Sequence, residues 1–86
     1  MATKSKAVKA PKLFIAKGKA ASDLRKKLGI NQADFWAKIS ITQSGGSRYE
    51  NGRNVPKTVL LLLHLTYAPE DQALEMLNYL RAQPQQ

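Results

Sequence analysis

The chain has no cysteine and one histidine, which excludes a disulfide, a thiolate or histidine-rich metal site and a cysteine nucleophile. Acidic residues are scarce as well. Six Asp and Glu stand against fourteen Lys and Arg, a formal charge of +8 on 86 residues, and that excess calls for a polyanionic partner, nucleic acid before any other. Long apolar runs are missing: the stretch Val59 to Tyr67 falls far short of the ~20 residues a bilayer requires. Leu13 to Ala16, the apolar part of the basic N-terminus, is shorter than the roughly 7 to 15 residues of a signal-peptide core. The expectation is one small cytoplasmic, nucleoid-associated domain with no place in a membrane. No nucleophile with a base and an orienting group can be assembled from the sequence, so neither an enzyme nor a cofactor is expected.

Charge divides what is present. Residues 1–19 hold Lys4, Lys6, Lys9, Lys12, Lys17 and Lys19 and no acid; residues 20–57 carry net +4, and residues 58–86 net −2. With Pro11 and Gly18 interrupting any periodicity, residues 1–19 read as a flexible lysine-rich arm, 20–83 as the folded domain and 84–86 as a disordered tail. The lysines suit attraction to phosphates more than base reading.

The folded part is helical throughout. Ser22 is a candidate N-cap for a first helix ending at Leu28 before Gly29, with Leu24 and Leu28 on one face. Asn31 caps a second, with Asp34 three residues on and Phe35 and Ile39 as its i, i+4 apolar pair. Thr42 caps a third through Glu50, stopped by Asn51-Gly52. Pro56 suits the first turn of a fourth helix reaching Tyr67. Pro69 opens a fifth through Arg81, with Leu74, Leu77 and Leu80 on one face. The fold class expected is therefore all-α, a compact bundle of five short helices.

Two helices joined by a tight turn, the second ending in Asn-Gly, have the layout of a helix-turn-helix. The run Leu24-Arg25-Lys26-Lys27-Leu28-Gly29-Ile30-Asn31-Gln32-Ala33-Asp34-Phe35, then Thr42-Gln43-Ser44 and Arg48-Tyr49-Glu50-Asn51-Gly52-Arg53, resembles the phage repressor and Cro (XRE-type) helix-turn-helix family over roughly residues 20–67. The resemblance implies a repressor-like domain that regulates transcription by binding double-stranded DNA, commonly as a dimer, with the third helix in the major groove.

Carried over position by position, it assigns Gln43, Ser44, Ser47 and Arg48 to base reading and Gln32, Asn51 and Arg53 to phosphates. Helical spacing independently puts residues 43, 44, 47 and 48 on one face, and Gln and Arg are the side chains that bond adenine and guanine edges in a bidentate manner. The resemblance further implies an enclosed structural ion pair between Arg25 and Glu50. The sequence departs from the family at two positions: Trp36 stands where a small residue is usual, and Gly46 where a branched apolar one is usual. A large-for-small exchange conserves volume, so the Trp36 ring is expected over the Gly46 backbone. For Gly45 the sequence offers only the suggestion that a missing side chain lets backbone approach DNA.

Leu60 to Leu63 and Leu65 surround the fourth helix, more apolar surface than one core face needs, and point to a homodimer through the fourth and fifth helices. His64 among them reads as a packed structural residue. Two other readings remain open: an antitoxin-like module whose leucines or Trp36 bind a protein partner, with DNA binding secondary, and a non-specific nucleic-acid binder resting on the lysines.

Overall fold

A computed structural model describes residues 10–83. Five helices and no strand occur among them: α1 (Gly18–Leu28), α2 (Gln32–Ala37), α3 (Gln43–Glu50), α4 (Lys57–Tyr67) and α5 (Glu70–Arg81). The all-α helix-turn-helix class read from the sequence is the class found. None of these helices is long and apolar enough to cross a membrane.

Each of the first three helices ends the same way. After α1, Gly29 takes φ 72°, with its N–H on Lys26 O and that of Ile30 on Arg25 O. After α3, Gly52 takes φ 111°, with the matching bonds to Tyr49 O and Arg48 O. This paired arrangement satisfies carbonyls that a helix end otherwise leaves bare, and it requires a left-handed residue. The turn after α2 makes the same bonds, Ser40 N–H to Ala37 O and Ile41 N–H to Trp36 O, but its left-handed residue is Ser40 at φ 64°. A Cβ in that conformation costs about 1 kcal/mol or more, partly offset by the lower freedom of Ser in the unfolded chain. Ser40→Gly is therefore expected to raise the thermal midpoint by roughly 2–6 °C, corresponding to about 0.5–1 kcal/mol; a melting curve that is unchanged or lower contradicts this.

The core forms where α1, α2 and α4 meet, around Ala21, Phe35, Trp36, Ile39, Val59, Leu60 and Leu63. The Phe35 and Tyr67 rings stack at 4.2 Å, and the Tyr67 hydroxyl donates to Phe35 O at 2.6 Å. Burial pushes the Tyr67 hydroxyl's pKa up. His64 lies fully buried. Its Nδ1 accepts from Phe14 N–H at 3.0 Å, so the ring proton resides on Nε2, which donates to Gln72 O at 3.0 Å. The structural reading of this residue fits that geometry.

Three expectations need correction. The domain begins before residue 20: Ile15 is 1% exposed in the core, Leu13 packs beside it, and α1 starts at Gly18. Residues 1–9 of the expected arm and the tail 84–86 lie outside the described residues. Ser22 is not a cap but a buried residue in the second turn of α1, whose N-cap Lys17 makes no side-chain capping bond. Gly18, read as a break, is the first helical residue, because a Cβ there would run into the Tyr49 carbonyl and only glycine lets α1 start against the end of α3. On α5 the buried residue is Met76, while Leu74 and Leu77, read from the sequence as sharing one face, are both exposed. The 100° step per residue cannot place both sets against α4 at once.

Candidate nucleic-acid interface

Caps at both helices fix the geometry of the α2–α3 unit. Asn31 Oδ1 accepts from Asp34 N–H at 2.8 Å, and Asn31 Nδ2 donates to Asp34 Oδ2 at 3.1 Å, so the short Asp arm closes the box on the side chain instead of the backbone. Thr42 Oγ1 accepts from Gly45 N–H at 3.1 Å and starts α3 as a regular helix through both glycines. Each glycine has a packing reason. A Cβ on Gly46 would overlap the Trp36 pyrrole ring, which lies directly on its backbone. One on Gly45 would sit 3.2 Å from Ile41 Cγ2 and 3.3 Å from Thr42 Oγ1. The close contacts at Gly45 are thus internal to the turn.

Trp36 is completely buried, which removes it as a surface for a protein partner. Its indole N–H donates to Glu50 Oε2 at 2.8 Å. Glu50 is the acceptor on which the unit converges. Arg25 Nε and Nη2 reach its two oxygens at 2.8 and 2.9 Å, and Gln32 Nε2 reaches Oε1 at 3.1 Å. The two charged side chains are 14% and 5% exposed, and Arg25 Nη1 donates also to Ile30 O at 3.2 Å. Burial alone pushes the Glu50 carboxyl up, but hydrogen bonds from Arg25, Trp36 and Gln32 together with the guanidinium charge outweigh it and bring it down to about 2. The Trp36 and Gln32 contacts were not foreseen. A buried indole needs an acceptor, and Glu50 was the acid already placed nearby.

Gln43, Ser44, Ser47 and Arg48 share one face of α3, and with Gln32 they line a shallow surface depression of about 360 Å³. Gln43, Ser44 and Arg48 are exposed and Ser47 half-buried. Gln43 Nε2 lies 3.5 Å from Gln32 Oε1, a long bond between the two helices. The Asn51 side-chain amide donates to Ser47 O at 2.7 Å and to Ser47 Oγ at 3.4 Å, closing the end of α3. Arg53 stays exposed just beyond.

The family model of the RsaL-like HTH domain matches residues 22–66, just over half of the chain, from the second turn of α1 to the end of α4. The chain belongs to the RsaL-like HTH domain family. Membership makes the α2–turn–α3 unit a helix-turn-helix of a DNA-binding family, with DNA as partner and transcription regulation as its setting. It supports the broader assignment read from the sequence without singling out the phage repressor and Cro type. No curated protein and no solved structure matches the chain. In this RsaL-like domain the matched segment contains the whole Arg25–Glu50 cluster and the whole depression on α3; α5 and residues 10–21 lie outside it.

Proposed function

We propose that the protein binds double-stranded DNA sequence-specifically as a small transcriptional regulator, inserting α3 into the major groove in the manner of the phage repressor and Cro type. One observation carries the reading: Gln43, Ser44, Ser47 and Arg48 gather with Gln32 in one exposed, polar depression on a helix whose opposite side is clamped to the core by Glu50 and Gly46. A rigid helix with short and bidentate-capable side chains outward is what groove reading needs. Gln43 and Arg48 read base edges, Gln32 and Arg53 meet phosphates, and Asn51 joins them once it releases Ser47. Leu62 and Leu74, 44% and 50% exposed, together with Leu77 support a homodimer through α4 and α5, each copy reading one half-site.

The test is selection of bound sequences from a random duplex pool, repeated with Arg48→Ala. A two-fold symmetric motif that loses one guanine position in the variant is expected, with a loss of about 1–3 kcal/mol at that position. Enrichment of no motif, or an identical motif in the variant, contradicts the assignment.

A further inference from the structure

Where the start of α1 meets the segment leaving α3 lies an open cavity of about 760 Å³, lined among others by Gly18, Lys19, Ser22, Lys26 and Arg53. Three neutral donors belong to residues that line it and have no partners among the described residues. Ala20 and Ala21 N–H both turn back to Lys17 O, at 3.1 and 3.3 Å, which leaves the amides of Gly18 and Lys19 free at a helix end that lacks a side-chain cap. One turn on, Ser22 is nine-tenths buried, and its hydroxyl has no hydrogen-bond partner among the described residues. No fully enclosed polar side-chain atom of the described residues lacks a partner, so the Ser22 hydroxyl keeps its access to the cavity. The charge around these donors is positive. Lys17, Lys19, Lys26 and Arg53 line the cavity; of the two carboxylates there, Glu50 is neutralised by Arg25 and Asp23 lies 3.6 Å from Lys19.

Free amides at a helix start, a buried hydroxyl and surrounding cations match a tetrahedral oxyanion in charge and donor geometry. We propose that this cavity is a phosphate site, filled in the complex by one backbone phosphodiester of the duplex. Gly18 N–H, Lys19 N–H and the Ser22 hydroxyl are the donors, and Lys26 and Arg53 supply charge. The occupant rests on the proposed DNA-binding reading: residues 51–55, which leave α3, form the facing wall, so a duplex held on α3 brings its backbone past this opening.

The full chain is titrated with random-sequence 20-base-pair duplex and, separately at constant ionic strength, with inorganic phosphate, while backbone amide resonances are followed by NMR. Gly18 and Lys19 are expected to shift with the duplex and, more weakly, with phosphate. Ser22→Ala is expected to weaken duplex binding roughly 3- to 10-fold, the loss of one hydrogen bond. Lys26→Ala should reduce the salt slope by about 0.9. If Ser44 and Arg48 respond to the duplex while Gly18 and Lys19 do not, the phosphate site is overturned and the groove reading stands. If Gly18 and Lys19 respond and Ser44 and Arg48 do not, the site stands and the groove reading fails. A response to inorganic phosphate alone overturns the duplex as occupant.

Discussion

Replacing Glu50 by alanine is expected to cost about 3–5 kcal/mol, enough to bring a domain of this size close to unfolding at room temperature. The magnitude follows from what is left behind. Arg25 would keep its guanidinium enclosed against Ile30 O with no counter-charge, and the buried Trp36 N–H would lose its acceptor. The pair itself is a weak source of stability, because desolvating both ions offsets most of their attraction. Arg25→Met with Glu50→Leu should consequently come closer to the wild type than Glu50→Ala alone. Urea unfolding of the three proteins decides; a double variant as unstable as the single one would mean that the cost lies in packing and not in the stranded charge.

The same carboxylate sets the acid limit. Its folded-state value of about 2 lies below the ordinary carboxylate value of about 4.3. The part of the stability that depends on its ionisation, about 3 kcal/mol relative to the protonated form, is therefore complete above about pH 5 and is lost progressively as pH falls toward 2. Unfolding free energy measured across that window should drop in the wild type, with a flatter slope in Glu50→Gln.

Trp36→Ala is the second substitution of large expected effect, about 3–5 kcal/mol. The ring fills the junction of α2 and α3 by lying on the Gly46 backbone, meets Phe35 edge-on at 5.4 Å, and bonds Glu50. Its removal opens a cavity and unpairs a carboxylate oxygen together. Gly46→Val alone should also destabilise, since its branches would enter the ring. Combined with Trp36→Ala, however, it refills part of the space, so the two losses should fall short of additive by 1 kcal/mol or more. Simple addition of the two effects in thermal melts would remove the volume-exchange argument.

Much of this site was legible because it depends on local rules. Thr42, Asn31, Gly29 and Gly52 carry their caps and stops in the sequence, and residues 43, 44, 47 and 48 share a face by helical period alone. The Arg25–Glu50 pair was implied by resemblance and not by spacing. What remained hidden is non-local. Ile15 joins the core from a lysine-rich stretch because its position in space, not the charge of its neighbours, decides burial. Gly18 is needed for a contact with Tyr49, thirty-one residues away, which no window of sequence contains. The outward turn of Leu74 and Leu77 depended on which of two apolar faces α4 accepts.

Gln32 donates to the enclosed carboxylate and accepts, at 3.5 Å, from Gln43 on the outer face. A transplant is constrained accordingly. Grafting the α3 surface onto a related scaffold would transfer its polar letters but not the rotamer of the first of them, unless the glutamine and glutamate beneath travel with it. On the proposed groove-reading role, the smallest unit that can be rewritten for a new binding preference spans both helices and the carboxylate between them.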